Sequence, residues 1–231
     1  GRRWDRDGAW RTILLMWRLR AAWALGADPV RLAKAYAPPA IRRRVLQVFA
    51  KAPARGRVKT RLAKAVGDDA ALAAYREMVA RTLATADEAR SRGVVAAIEL
   101  WCAPDASHPD LVAWARRHGA SLHAQRGDDL GARMRHALAE ALARGDVPIL
   151  VGTDCPAIDA AYLASASAAL DANDAVLGPV EDGGYALVGI ARDVDAFAGI
   201  AWSTPDVMAA TRASLERANA RWAELPTLWD V

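Results

Sequence analysis

From Val45 onward the chain alternates between short, nearly continuous apolar runs and longer stretches whose apolar residues recur every few positions. The first texture suits strands buried on both faces, and the second suits helices with one buried stripe. Strands are predicted at Val45–Ala50, Val94–Trp101, Ser121–Ala124, Val147–Val151, Asp174–Leu177 and Tyr185–Ile190. Helices are predicted at Lys59–Val66, Asp68–Arg90 (with Asp68 in its N-cap region), Pro109–His118, Leu130–Arg144, Asp159–Leu170 and Pro205–Asn219. Ser203-Thr204-Pro205 opens the last of these, a cap followed by proline in the first turn. Strands spaced by helices imply an α/β fold, a three-layer α/β/α sandwich around a mostly parallel central sheet. Ligands of such sheets sit at the carboxyl ends of the strands. The chemistry is therefore expected just after residues 50, 101, 124, 151 and 177.

The 231 residues suit one large domain, or one domain with an extension. An apolar fraction of 53% supplies ample core. No uninterrupted apolar run approaches the roughly 18 residues of a membrane-spanning helix. Cys102 and Cys155 form neither a disulfide framework nor a metal cluster, and are expected as buried thiols in a reducing cytoplasm.

Charge divides the chain. Residues 1–44 carry 11 Lys/Arg and 3 Asp/Glu, whereas residues 45–231 carry 20 and 24. The basic pI near 9.4 thus belongs to the extension, while the body is net acidic, and no nucleic-acid partner is expected. Residues 1–44 also hold Trp4, Trp10, Trp17 and Trp23, and the chain opens on Gly1. They are expected to be a non-native or disordered extension. The alternatives are a membrane-surface helix over Ala9–Leu25, the only expected membrane contact, or docking onto the body.

Four loops carry candidate chemistry. After the first strand comes Lys51-Ala52-Pro53-Ala54-Arg55-Gly56-Arg57-Val58-Lys59-Thr60-Arg61, a glycine-containing loop dense in positive charge that leads into a helix. Strand, basic loop and helix together suit a phosphate group; the alternative is a solvated basic turn. After Val151 comes Gly152-Thr153-Asp154-Cys155-Pro156, where Asp154 either holds a divalent cation or braces the turn. Gly178-Pro179-Val180-Glu181-Asp182-Gly183-Gly184-Tyr185 is either a hairpin turn or an acceptor site with two carboxylates. In Gln125-Arg126-Gly127-Asp128-Asp129-Leu130-Gly131-Ala132-Arg133, an aspartate is a plausible N-cap, and Arg133 reaches either an anion or a surface partner. His108, His118, His123 and His136 show no metal-ligand spacing. Cys155 lacks a recognisable base and is expected to be structural. Trp202 suits either the core or a pocket wall.

FAKAPARGRVKTRL, QRGDDLGARM, GTDCPAI, GPVEDGGYALVGI and AWSTPDVMAATRASL occur in this order. Together they resemble the bacterial glycosyltransferase-like family that includes the arsenosugar-biosynthesis glycosyltransferases, a branch of the nucleotide-diphospho-sugar transferase (GT-A) superfamily. They are also similar to the phospholactate guanylyltransferases. The resemblance covers residues 45–231. It implies phosphate or nucleotide binding by Lys51, Gly56, Arg57, Lys59, Arg61, Gln125, Asp129 and Arg133. It implies catalytic roles for Asp154, Asp182 and Glu181, with Gly183, Gly184 and Tyr185 facing the acceptor. Asp154 would bind Mg²⁺ or Mn²⁺, with Asp182 or Asp230 as a second ligand. The chain departs from the family at Arg55, usually proline, and at Ala132, usually glutamate. Thr153-Asp154-Cys155 replaces the Asp-x-Asp of most glycosyltransferases, and the chain ends at Val231, so a truncated C-terminus is expected.

The resemblance thus implies a metal-dependent transferase that takes a nucleotide-sugar and a small-molecule acceptor. Nucleotidyl transfer from a nucleoside triphosphate to a phosphorylated small molecule is the alternative. A non-catalytic nucleotide binder is a third possibility.

Overall fold

The computed structural model describes Trp17 and residues 42–229. The helix expected over Ala9–Leu25, Trp17 apart, and the metal ligand expected at Asp230 lie outside the described residues. The chain separates into two units between Arg42 and Arg43, and every element below belongs to the second.

Seven strands form one sheet: β1 (Arg44–Lys51), β2 (Ala97–Ala103), β3 (Ser121–Ala124), β4 (Val147–Val151), β5 (Ala175–Pro179), β6 (Tyr185–Ile190) and β7 (Trp222–Glu224). Their spatial order is β3-β2-β1-β4-β6-β5-β7. All run parallel except β6, which pairs antiparallel with both β4 and β5. The helices are α1 (Thr60–Val66), α2 (Asp68–Ser91), α3 (Pro109–His118), α4 (Leu130–Ala143), α5 (Ala160–Ala169) and α6 (Val207–Arg217).

The strand period of two sorts the core. Leu46, Val48 and Ala50 of β1 join Ile98, Leu100 and Cys102 of β2 on the face covered by α2, α3 and α5. Phe49, Trp101, Leu150 and Leu177 point to the other face, covered by α4 and α6. The sheet is buried on both faces, which is why its strands read as unbroken apolar runs. Along α2, Ala71, Tyr75, Val79, Leu83, Ala86 and Ala89 recur at helical spacing and form its buried stripe.

Besides shifts of one or two residues at other element ends, four details differ from expectation. The strand predicted from Val94 begins at Ala97, because the Val94 amide donates to Ala89 O and closes the end of α2 (2.9 Å). Gly67, at φ 85°, is the N-cap of α2, so Asp68 is its first residue. The helix expected from Pro205 begins at Val207. The Thr204 hydroxyl donates to Ala201 O and does not cap, and the Pro205 carbonyl packs against Gly183. The three-residue β7 has no apolar run of its own and exists by pairing with the edge of β5.

Candidate active site

The carboxyl ends of β1, β2, β3, β4 and β5 lie on one edge of the sheet, and the β5–β6 turn meets them there. Antiparallel pairing sets Val151 opposite Leu187, and the Gly152 amide donates to Ala186 O at 3.3 Å. The loop after β4 therefore runs beside the start of β6 and the turn that precedes it.

The basic loop is anchored at both ends. The Lys51 amide donates to the Tyr75 hydroxyl (2.7 Å), which itself donates to Lys51 O (2.9 Å). Burial pushes Tyr75 up to about 12, opposed by its bond to the Lys51 backbone and by a bond with Thr153. One hydroxyl from α2 thus holds both backbone groups of Lys51 at the end of β1, where the basic loop begins. Val58 is buried and pins the middle of the loop. Gly56 takes φ +71°, which favours glycine. Arg55 does not point to the other cations: it pairs with Asp69 in α2 at 2.6 Å, which lowers the Asp69 carboxyl. Lys51, Arg57 and Arg61 are exposed.

Lys59 crosses to the next loop. Its Nζ lies 3.3 Å from Asp154 Oδ1; the lysine side chain is 11% exposed and the aspartate 63%. The first basic loop and the β4 loop therefore meet as a charge pair. Lys59 is the N-cap of α1 at φ 46°, ψ 45°, with no side-chain capping bond. Among the described residues, no three His, Cys, Asp or Glu side chains converge as a ready-made cation cage. One exposed carboxylate does not suit zinc. It does suit Mg²⁺ or Mn²⁺, which take one or two protein carboxylates and fill the shell with phosphate oxygens and water.

The β5–β6 turn is built as a hairpin. Asp182 Oδ1 accepts from the Gly184 amide (2.8 Å), and the Val180 amide donates to Gly184 O (3.1 Å). Gly183 has φ +89°, and a Cβ there would lie 2.2 Å from Pro205 O. Glu181 and Asp182 remain exposed. The Tyr185 ring packs edge-on against Trp202 at 6.5 Å, and burial pushes its hydroxyl up.

The C-terminal segment links this turn to the β4 loop. The Glu181 amide donates to Leu228 O (3.1 Å), and Cys155 Sγ donates to the next carbonyl, Trp229 O (3.2 Å). Asp154 and Glu181 thus flank one short stretch of tail.

The fourth loop is spent largely on structure. Gln125 Nε2 donates to Trp101 O (2.9 Å) and Ala50 O (3.4 Å), closing the ends of β1 and β2. Asp129 caps α4 by accepting from the Ala132 amide (2.7 Å), and Arg133 Nε donates to Gly127 O (3.0 Å). Trp202 packs on Gly131, Phe197 and Tyr185 in the second core. Both cysteines are buried, and burial pushes the Cys102 thiol up to about 12.

The sequence therefore located Lys51, Lys59, Asp154, Glu181 and Asp182 at one edge. It missed Tyr75 and the Leu228–Trp229 tail. Tyr75 reads as one more residue of the buried α2 stripe, and nothing local marks its hydroxyl.

Residues 82–204 match the family model described as "Uncharacterized protein conserved in bacteria (DUF2064)". A comparison with curated proteins gives no match. Among solved structures, a protein of Desulfovibrio desulfuricans G20, provisionally described as a nucleotide-diphospho-sugar transferase, is 33% identical. The match covers 83% of each chain with a TM-score of 0.73. CMP:2-keto-3-deoxy-manno-octonic acid synthetase, solved with CTP, is 11% identical with a TM-score of 0.51, over 81% of this chain and 90% of that one. Glucosyl-3-phosphoglycerate synthase of Mycobacterium tuberculosis, solved with Mn²⁺, UDP and glucosyl-3-phosphoglycerate, is 11% identical with a TM-score of 0.50, over 83% and 71%. The body has the fold of nucleotide-diphospho-sugar transferases.

Proposed function

We propose, for a chain that belongs to the DUF2064 family of bacterial proteins, a transferase that uses a nucleotide-activated donor and a divalent cation. Its favoured reaction is glycosyl transfer from a nucleotide-sugar to a small-molecule acceptor. The observation that carries this reading is the Lys59–Asp154 pair at the carboxyl ends of β1 and β4, 3.3 Å apart. It sets a cation that grips phosphate against a carboxylate that suits a metal, in the crevice where such sheets bind ligands. The two more distant structural likenesses concern proteins solved with CTP or with UDP and Mn²⁺, which supports the same ligand class.

In this reading Lys59, with the exposed Lys51, Arg57 and Arg61, holds the donor's phosphates. These charges stabilise the negative charge that develops on the leaving phosphate. A divalent cation on Asp154 would add further charge there when bound. Glu181 and Asp182 bind acceptor hydroxyls, and Glu181, whose backbone amide donates to Leu228 O, takes the role of base. Gln125, Asp129 and Arg133 fix the walls of the pocket more than they touch the nucleotide. An arsenosugar-type acceptor is the first to assay, given the motif resemblance.

Nucleotidyl transfer is the second reading. It is favoured by the single Asp154 in place of Asp-x-Asp, with Cys155 buried beside it. A thermal-shift screen of nucleoside triphosphates and nucleotide-sugars, with and without Mg²⁺, tests the shared premise. Stabilisation by a nucleotide-sugar that disappears in Asp154→Asn is expected. Pyrophosphate release from a nucleoside triphosphate would favour the second reading over the first, and a flat screen would refute both.

A further inference from the structure

Lys59 adopts a backbone conformation that lysine avoids. Its φ of 46° and ψ of 45° lie in the left-handed region, where a Cβ crowds the following carbonyl. Among the described residues, only Ser203 and Asn219 share a positive φ without being glycine. The strain does nothing evident for α1, which has no side-chain cap and no buried residue. What it does is bury the Lys59 side chain to 11% exposure and bring Nζ to 3.3 Å from Asp154 Oδ1. Backbone strain that the surroundings hold in place often serves a site. The aspartate, by contrast, stays 63% exposed and accessible to a ligand from solvent.

The geometry points to linked binding of the nucleotide's diphosphate and the divalent cation, with Lys59 as the coupling element. This inference rests on the nucleotide-transferase reading above. In the nucleotide-free protein the ammonium pairs with one oxygen of the otherwise exposed Asp154 carboxylate, so an arriving dication meets both a competitor and a like charge. A diphosphate offers the ammonium anionic oxygens of its own. Once Lys59 turns to them, the carboxylate is released to the cation, and the phosphates screen the two positive charges from each other. Linkage makes the effect reciprocal: the cation favours the diphosphate by the same factor by which the diphosphate favours the cation. Lys59 is in this sense a positioning residue that keeps Asp154 from collecting metal without substrate.

The test is Mn²⁺ binding to the full chain, read from the electron paramagnetic resonance signal of free Mn²⁺, alone and with GDP, UDP, CDP or ADP. Wild type is expected to bind Mn²⁺ weakly alone and roughly 10- to 100-fold more tightly with the nucleotide, within the usual range of coupling. Lys59→Asn removes the charge and tolerates the left-handed backbone. It is expected to bind Mn²⁺ alone several-fold more tightly than wild type and to lose most of the nucleotide-linked gain. Lys59→Gly should behave the same way, and thermal melts confirm that both variants fold. Asp154→Asn should bind Mn²⁺ weakly under all conditions. Mn²⁺ affinity left unchanged or weakened in both Lys59 variants without nucleotide overturns the inference, even where GDP or UDP binds. Failure of GDP, UDP, CDP and ADP alike to bind in the presence of Mn²⁺ would instead sink the nucleotide reading, even where the Lys59 variants hold Mn²⁺ more tightly.

Discussion

Replacing Gly183 by alanine separates a folding role from an acceptor-binding role at the β5–β6 turn. Two costs add. At φ +89° an L side chain is strained, by about 1–2 kcal/mol. The new Cβ would also lie 2.2 Å from Pro205 O and 2.9 Å from Pro205 C, both backbone atoms. Neither side can easily retreat. The Gly183 amide donates to Val180 O (3.2 Å), and the Gly183 carbonyl accepts from the Met208 amide (2.9 Å) at the start of α6. Relieving such overpacking typically costs about 1–3 kcal/mol. The expected loss is then about 2–5 kcal/mol, read as a lower urea midpoint with an unchanged slope. Gly119→Ala is the control. Gly119 is left-handed at φ 57° and ψ 35°, and its added Cβ would meet only the flexible end of Arg90 at 3.4 Å. It should lose only the strain component. A Gly183→Ala variant no less stable than Gly119→Ala would refute the packing argument and leave acceptor approach as the reason for the glycine.

Tyr75→Phe should cost about 1–3 kcal/mol, because the Lys51 amide and carbonyl both lose the hydroxyl they bond. Its pH signature follows from a folded-state value raised to about 12 from 10. Between those values the folded protein keeps a proton that the unfolded chain releases, so stability falls as pH rises through the window, by about 2–3 kcal/mol for this group. Urea midpoints at pH 9 and pH 11 should therefore converge in Tyr75→Phe relative to wild type, and equal slopes in the two proteins would contradict the assignment. Gly131→Ala should destabilise although alanine favours helices by about 1 kcal/mol, because its Cβ would lie 2.5 Å from the Trp202 ring. In a Trp202→Ala background the same change should become neutral or stabilising, and a double-mutant cycle with no coupling would refute the contact.

Local pattern made most of the fold legible. Pro109–His118, Ser121–Ala124, Val147–Val151 and Tyr185–Ile190 are the predicted segments to the residue, because period and flanking punctuation are local properties of the chain. The edge on which chemistry would gather was legible too, since strands alternating with helices imply a parallel sheet and such a sheet collects its loops at one end. Asp129 and Asp182 were legible only as alternatives. Each could be a ligand or a brace, and the structure shows both carboxylates accepting backbone amides.

What the chain alone determined is the order of elements, the two-faced burial of the sheet and the residue types delivered to its carboxyl edge. Those follow from neighbours within a few positions. What only the tertiary structure decided is which of those residues meet. Lys59 reaches Asp154 across 95 positions through a left-handed turn. Tyr75 holds the end of β1 from within a helix, and the tail at Leu228–Trp229 spans the turn and the β4 loop. β6 runs against its neighbours, and that reversal sets the start of β6, just after Glu181 and Asp182, beside the loop that carries Asp154. None of these pairings leaves a periodic trace, because a contact between distant segments is selected by packing in three dimensions and not by spacing along the chain.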